Sequence, residues 1–545
     1  MAAEAVWTRR IAGAAALIAV LTVVARVAGF GRTMVFAWAV GDTDLGDTYV
    51  VANTIPNIIF EIVAGGALAS LVVPLLAPAI VAEDRAAVAR TASALLTWVL
   101  AGLVPLAAVL ALAARAVVDL VATDPSPAQL QAGATMLRIF APQLPLYGVA
   151  IVLTGVLQAH RRFAWPVLAP LLSSVTVAGA YLLFAGVEQR GVDVASVGSA
   201  GLLVLAVGTT LGVVVLAGCL VPPVVRLGLR PRPGWRLSPE ARQRVRGLAL
   251  AGAVTLGTQN LALLVVLWRA WAGPEGTNVL FLLAQTIFLV PWAVLAVPAA
   301  TAAYPTLAES AVAGDHGRYR TTLAATTRAT VLLCLLGAAA MVALAAPAAT
   351  LIAQLMPTAQ DSAAPLAAGI AGFAPGLVGY GLFAVLSRAL YARGESGAAA
   401  LAAAAGWATV AVAAVTLSSA LPAGARVVAL TAANSVGMTV LAAGLLYAVR
   451  RGSGRGALSG LPRALVAGGV AAVSATLAGR AVVALAGPTP DAGTALWSGM
   501  LAGVVVGVVF AGAAWLLDRR DVGPLVVAVA RRLRRPGADE EETRG

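Results

Sequence analysis

An all-α polytopic membrane fold of about fourteen transmembrane helices is predicted by three observations. Hydrophobic residues make up 60% of the 545 positions and charged residues only 11%, a balance that a soluble chain could not hold without exposing large apolar patches. A window of about twenty residues, enough to cross roughly 30 Å of hydrocarbon, finds fourteen apolar segments. Arginines and acidic residues then fall in alternate loops between those segments, a pattern that one span more or fewer would scramble.

The first span, Ile11 to Val40, follows Arg9 and Arg10. It is no cleavable signal peptide, because it is long, carries Arg26 and Arg32, and lacks a small-residue cleavage site before the next polar stretch. The second, Tyr49 to Ile80, opens after Asp42, Asp44 and Asp47 and closes before Arg85 and Arg90. The third runs from Thr91 to Leu112 and ends before Asp119 and Asp124; the fourth, Met136 to Ala159, stops at Arg161 and Arg162. The fifth (Phe163 to Ala185) leads to Glu188 and Asp193, and the sixth (Val197 to Val221) to the arginines between Arg226 and Arg246. The seventh (Gly247 to Trp271) ends before Glu275, and the eighth (Thr277 to Ala303) before Arg318 and Arg320. The ninth, Thr330 to Ala349, precedes Asp361, and the tenth, Leu366 to Ala389, precedes Arg393. The eleventh is Gly397 to Ser419 and the twelfth Val427 to Val449, which meets the arginines from Arg450 to Arg463. The thirteenth, Leu465 to Leu485, leads to Asp491, and the fourteenth, Ala495 to Leu517, to the tail arginines Arg519 to Arg535. The arginine-rich side is cytoplasmic by the positive-inside rule, which places both termini inside.

The net charge of +13 comes from arginine alone. These arginines are spread over short loops with few aromatics to stack on bases, so nucleic acid is not a partner. Cys219 and Cys334 lie within spans, which supports neither a disulfide framework nor a metal site. No cofactor is implied. The tail after Leu517 alternates arginine with short apolar runs, suited to the anionic inner leaflet, before an acidic end from Ala538 to Gly545.

An internal repeat organises the first twelve spans. Phe140-Ala-Pro-Gln-Leu-Pro-Leu-Tyr147-Gly148 in the fourth span returns as Phe373-Ala-Pro-Gly-Leu-Val-Gly-Tyr380-Gly381 in the tenth, an offset of 233. Ala52-Asn-Thr-Ile returns as Ala284-Gln-Thr-Ile at 232, and Pro74-Leu-Leu-Ala as Pro305-Thr-Leu-Ala at 231. Six spans per repeat start both copies on the same side, so the repeats are parallel and related by an axis along the membrane normal, with a cavity expected between them. The expected organisation is an N-terminal six-helix lobe (1–226), a cytoplasmic linker (227–246) broken by prolines, a C-terminal six-helix lobe (247–450), helices 13 and 14 (451–517), and a cytoplasmic tail (518–545).

Arg26 and Arg32 are the chemically informative residues. A guanidinium at membrane depth costs roughly 2.5 to 3.5 kcal/mol on insertion scales, so it faces a wet cavity, pairs with a carboxylate or binds an anion. Six residues apart, the two lie about 120° apart around an ideal helix, and Gly29 and Gly31 between them offer a place to bend. A pyrophosphate calls for planar, permanently charged donors that engage two oxygens at once, as arginine does. The bland alternative is an internal pair, with Glu61 the nearest carboxylate partner.

The first two spans contain Ala25-Arg26-Val-Ala-Gly29-Phe30-Gly31-Arg32, Gly46-Asp47-Thr-Tyr-Val-Val-Ala52-Asn53, Ile55-Pro56-Asn57-Ile-Ile, Gly65-Gly66-Ala67 and Val73-Pro74. Together these motifs resemble the MurJ (MviN) family of lipid II flippases. The resemblance implies an alternating-access flippase, not an enzyme, for the undecaprenyl-pyrophosphate-linked peptidoglycan precursor, in the cytoplasmic membrane of a bacterium. It also implies substrate-binding roles for Arg26, Arg32, Asp47, Asn57 and Glu61, with Arg269 as a third cation or an interface residue. Phe60 and Glu61 stand where many members carry arginines, and the second helix, with Pro56-Asn57-Ile58 before Glu61 and a glycine pair following, is similar to that of high-GC Gram-positive relatives; Gln285 and Thr286 stand near an eighth-helix arginine of the other members. Lipid II, membrane lipids and cell-wall synthesis or division proteins are the implied partners. The alternatives are a flippase for another polyprenyl-pyrophosphate-linked oligosaccharide and, less well matched, a drug exporter of the same superfamily. The exporter would need carboxylates and aromatics for organic cations.

Overall fold

A computed structural model describes residues 2–62, 66–229, 233–235, 239–357, 359–487 and 491–519, and no strand occurs among them. The first helices are α1 (Ala2–Ala39), α2 (Asp44–Phe60), α3 (Gly66–Val81), α4 (Arg85–Leu112), α5 (Ala114–Val121), α6 (Pro127–Phe140) and α7 (Gln143–Ala159). They are followed by α8 (Ala164–Val187), α9 (Ser199–Gly218), α10 (Val221–Val225), α11 (Pro239–Trp271), α12 (Thr277–Pro291) and, after a π-helical turn at Trp292–Ala296, α13 (Val297–Val312). The chain continues through α14 (His316–Ala353), α15 (Ala359–Phe373), α16 (Gly376–Ala392), α17 (Ser396–Ala420), α18 (Arg426–Ser453), α19 (Leu461–Leu485) and α20 (Ala492–Leu517).

Among the described residues eleven helical stretches are long and apolar enough to cross a membrane, or twelve when the bent pair α15 and α16 counts as one span. Of the fourteen expected spans, the second is carried by α2 and α3 and the seventh by α11. Residues 63–65 lie outside the described set, as do the side chains of 239–253. Parts of the expected linker (230–232 and 236–238) and nearly all of the expected tail (520–545) lie outside it too. The short α5 was not expected as a separate element.

The sequence repeat is visible as matched helix breaks. Phe140-Ala-Pro142 separates α6 from α7, and Phe373-Ala-Pro375 separates α15 from α16 with a bend of 42°. Proline lacks the N–H that would continue the ladder, and in both places it is the N-cap, the residue immediately before the following helix. The second break is π-helical in both copies, at residues 61–62 after Pro56 and at Trp292–Ala296 after Pro291. Such bulges recur at functional sites.

The chain forms two compact units. One comprises Met1–Leu283 with Leu355–Ser362 and Pro422–Arg426; the other comprises Ala284–Gln354, Ala363–Leu421 and Val427–Gly545. In the first, Val72 of α3, Leu95 and Val99 of α4 and Leu153 and Leu157 of α7 share a core. Residues 233–235 of the expected linker are tied to α4: Trp98 Nε1 donates to the Trp235 carbonyl at 3.2 Å, and Gly234 N–H donates to Thr97 Oγ1 at 3.0 Å. In the second, α19 and α20 lie on α14 through Ala339, Ala343, Ala471, Ala475 and Val506, the small-residue packing by which helices approach closely in lipid.

Backbone approach is closest where glycine permits it. A Cβ on Gly379 of α16 would sit 2.3 Å from the Met438 carbonyl oxygen of α18, so a methyl there forces backbone apart. Gly379→Ala is expected to cost about 1 to 3 kcal/mol through overpacking, read as a lower thermal midpoint of the purified chain in detergent.

Candidate substrate-binding site

The first unit holds the candidate residues of α1 and α2. The α1 helix is continuous through Gly29 and Gly31. A Cβ on either would meet nothing within 4 Å, and the helix therefore presents bare backbone to open space beside its arginines. Arg26 is exposed and Arg32 half-buried. Neither has a carboxylate within ion-pair distance among the described residues.

Beneath Arg32 lies a buried aromatic group. Phe36 packs on Tyr49 and Tyr181 with ring centroids 5.1 and 5.3 Å apart. The Tyr49 hydroxyl lies 2.7 Å from both the Tyr181 hydroxyl and Thr209 Oγ1. Thr209 donates onward to the Leu205 carbonyl at 2.7 Å, so every hydroxyl in the chain has a partner, as burial demands. A second polar chain starts at Tyr147, whose hydroxyl donates to Gln143 Oε1 at 3.4 Å. Gln143 Nε2 donates to Thr210 Oγ1 at 3.1 Å, and Thr210 to the Ile139 carbonyl at 2.9 Å. The Arg32 charge reaches the hydroxyls of Tyr49, Tyr147 and Tyr181, and the Glu61 charge also reaches Tyr147. Sequence reasoning used Tyr147 and Gln143 only as markers of the repeat. A glutamine inside an apolar span was the available signal.

On α2 the predicted residues part company. Asn57 Nδ2 donates within its own helix, to the Asn53 carbonyl at 3.1 Å. Glu61, at the π-helical turn, accepts from Asn260 Nδ2 of α11 at 3.0 Å, and the same amide donates to the Leu256 carbonyl at 2.9 Å. Its observed partner is thus an amide on α11, not the α1 arginines. Arg269 lies in the last turn of α11, 5.3 Å from the Trp268 ring centroid, and its charge bears on Arg426.

Asp47 makes the most specific contact of the set. It is buried, and its carboxylate accepts three backbone N–H groups: Gly276 at 2.9 Å, Asn278 at 2.9 Å and Val279 at 3.2 Å. These are the otherwise unmatched donors at the start of α12, the end of a helix that favours negative charge. Two glycines allow the approach. Gly276 has φ +77° and an added Cβ would fall 2.3 Å from the Asp42 carbonyl oxygen; a Cβ on Gly46 would fall 2.9 Å from Val279 Cγ2. The contacts separate residues by 229 to 232 positions, close to the repeat offset. The starts of two repeat-equivalent helices therefore meet, and Asn278 stands 231 residues after Asp47.

Around this contact lies an acidic cluster at the loop ends. Glu275 Oε1 accepts from Asp44 N–H at 2.9 Å, and Asp44 Oδ1 accepts from Val194 N–H at 2.8 Å. Ser362 donates to Asp42. Carboxylate oxygens of Asp44, Asp193 and Glu275 lie within 4.8 Å of one another, the one such group among the described residues close enough to share a cation. Partial burial, reinforced by neighbouring carboxylates, holds Asp44 and Glu275 above the ordinary carboxylate range. Groups raised in the folded arrangement stabilise it fully below their ordinary values, and that stabilisation is lost as pH rises through the raised ones. Acidifying the medium on this face is therefore expected to tighten the arrangement. Hydrogen exchange at the Glu275 loop should slow, beyond the intrinsic effect of pH, as the pH falls through the raised values toward the ordinary carboxylate range, and Glu275→Gln should flatten the dependence.

The chain matches the family model for the lipid II flippase MurJ over residues 36–488. It is 30% identical over 228 residues to a probable lipid II flippase MurJ of Synechocystis sp., an alignment covering 41% of each chain. It is 26% identical over 379 residues to the lipid II flippase MurJ of Burkholderia cenocepacia, covering 68% of this chain and 71% of that one. Among solved structures, a lipid II flippase MurJ in an inward closed conformation superposes with a TM-score of 0.72 at 15% identity, covering 92% of this chain and 98% of that one. An inward-facing MATE family multidrug resistance transporter of the MOP superfamily superposes with a TM-score of 0.64 at 15% identity, covering 78% and 94%.

Proposed function

The chain belongs to the lipid II flippase MurJ family, and we propose that it carries lipid-linked peptidoglycan precursor, lipid II, across the cytoplasmic membrane by alternating access. The observation that carries this reading is the pair Arg26 and Arg32, which have no carboxylate partner among the described residues and flank two glycines that open onto empty space. Unneutralised guanidinium groups at membrane depth are stable when an anion completes them. A pyrophosphate offers oxygens for bidentate contact with each. Gly29 and Gly31 leave the helix backbone itself accessible to a bulky head group.

In this reading the head group enters from the inner leaflet and its pyrophosphate engages Arg26 and Arg32, with the hydroxyl of Tyr147 nearby to accept or donate. The polyprenyl tail stays in lipid. The Asp47 contact with the start of α12 holds the opposite face closed until binding energy favours the alternative state, since a ligand shifts an equilibrium only by its differential affinity for the two states. Glu61 and Asn260 join α2 to α11 at a π-helical turn, a natural place for the helix to change course. Both termini are cytoplasmic in this account, with six spans in each repeat. The membrane potential, worth about 2.3 kcal/mol per charge per 100 mV, is a sufficient energy source for the return of a charged cavity.

The test is rescue of a bacterium depleted of its own lipid II flippase, at matched membrane expression. Rescue by the wild-type chain supports lipid II as cargo. Failure of a well-expressed chain, with rescue instead of a strain lacking a different polyprenyl-pyrophosphate glycan flippase, would move the assignment to that cargo.

A further inference from the structure

The second unit contains a cavity of about 620 Å³ between α14, α15 and α19. Its wall is almost entirely apolar and short-chained, with Ala346, Ala367, Ala371, Leu477 and Ala481 among the lining residues and Arg480 as the one charged group. The three helices share an end: α14 stops at Ala353, α15 starts at Ala359 and α19 stops at Leu485. Arg480 lies five residues before the end of α19, roughly 7 to 8 Å along the axis at 1.5 Å per residue, and level with the α14 lining residues, because a Cβ on the adjacent Gly479 would fall 2.9 Å from the Ala343 Cβ. An arginine side chain is long enough to carry its charge from there toward the helix end. The cavity is therefore an apolar slot with a guanidinium within reach of its mouth.

Several features give the slot an occupant. Ala346, Leu477, Arg480 and Ala481 are exposed, and on a membrane-spanning bundle such a surface meets lipid. Arg480 makes no ion pair or hydrogen bond among the described residues. Asp491, the next acidic residue along the chain, is engaged in capping α20, where it accepts from Thr494 N–H at 2.8 Å and Thr494 Oγ1 at 2.9 Å. A single guanidinium at the mouth suits a single phosphate, unlike the two arginines of α1. Its volume lies within the range of about 300 to 1,000 Å³ that holds ligands of drug size, and a wall whose side chains are apolar apart from Arg480 suits an acyl chain better than a polar head group.

We propose that this slot is a binding site for an anionic phospholipid of the surrounding leaflet, one acyl chain lying against the alanines and the phosphate held by Arg480. The assignment is independent of the cargo. Alanines replace longer side chains where the acyl chain runs, and the guanidinium supplies the planar donor pair that a phosphate takes.

The experiment is native mass spectrometry of the full chain released from nanodiscs of phosphatidylethanolamine and phosphatidylglycerol. One phosphatidylglycerol should stay bound in preference to phosphatidylethanolamine. Arg480→Ala should lower that retention about fivefold or more, the value of one basic residue near an anionic lipid. Ala346→Trp, which fills the slot from an exposed position and leaves Arg480 in place, should lower it as well, with an unchanged elution profile verifying the fold. Equal retention of the two lipids by the wild type, or retention untouched by both substitutions, would overturn the proposal. Displacement of phosphatidylglycerol by an equal concentration of polyprenyl phosphate would overturn the phospholipid assignment and give the slot to a prenyl chain.

Discussion

Arg32→Ala and Arg26→Ala are each expected to abolish rescue of a flippase-depleted strain while leaving the protein folded and inserted. Each guanidinium removed takes away a charge-assisted hydrogen-bonding group worth about 1.5 to 3 kcal/mol when it meets its anion. That corresponds to a loss of roughly ten- to a hundredfold in affinity for the pyrophosphate head. Neither arginine is tied to a carboxylate among the described residues, so removal strands no buried counter-charge, and the folded state should be unharmed or slightly more stable. Arg32→Lys separates charge from geometry. It keeps the cation but loses the planar fork, and an intermediate affinity is expected. Because both arginines would touch one ligand, the double substitution should cost less than the product of the single losses. A binding measurement on purified chain with lipid II, together with thermal midpoints, checks all four variants. Loss of the fold in either single variant would instead mark the arginines as structural.

Asp47→Ala is expected to act on conformation and not on cargo affinity. Its carboxylate is the acceptor for Gly276, Asn278 and Val279 at the start of α12, and deleting it leaves three backbone donors without their partner. Leaving a buried donor without its acceptor costs about 1 to 3 kcal/mol before water enters. Even 2.7 kcal/mol would shift the balance between this closed arrangement and its open alternative by about a hundredfold. Asp47→Asn retains one acceptor oxygen but adds an N–H group facing other donors, so it should fall between. The readout is a cysteine at Asn278, a fully buried residue whose side chain makes no hydrogen bond among the described residues. With Cys219 and Cys334 replaced, labelling of that cysteine by a membrane-impermeant thiol reagent should rise sharply in Asp47→Ala. Unchanged labelling would show that the contact does not hold this face closed.

Hydropathy hides the helix breaks: the expected fourth and tenth spans run straight through Phe-Ala-Pro at 140 and 373, where the motif marked only the repeat, although the physical cause of the interruption, a missing N–H, acts locally. Arg26 and Arg32 were legible because a charge in an apolar span has few acceptable explanations. What escaped was long-range pairing. The Glu61 contact with Asn260 joins residues 199 apart, and no local pattern in a single chain encodes it; the arginines were the more obvious partner on charge alone. Gly29 and Gly31 read equally well as a bend or as a bare surface, since both uses need only the missing side chain. In the folded α1 both leave open space beside the backbone. Asp47 was found through a motif, but its partners are backbone groups at the start of α12, which have no side-chain signature at all.

The central claim is that this chain carries lipid II outward with its pyrophosphate on Arg26 and Arg32. The direct measurement is the fraction of lipid II reachable by an externally added, membrane-impermeant hydrolase in cells whose own flippase has been depleted. Expression of the wild-type chain should restore outer-face cleavage, and Arg26→Ala and Arg32→Ala at equal abundance should not. Restoration by the arginine variants as fully as by wild type would contradict the arginine site. No restoration by an abundant, correctly inserted wild-type chain would contradict lipid II as the cargo.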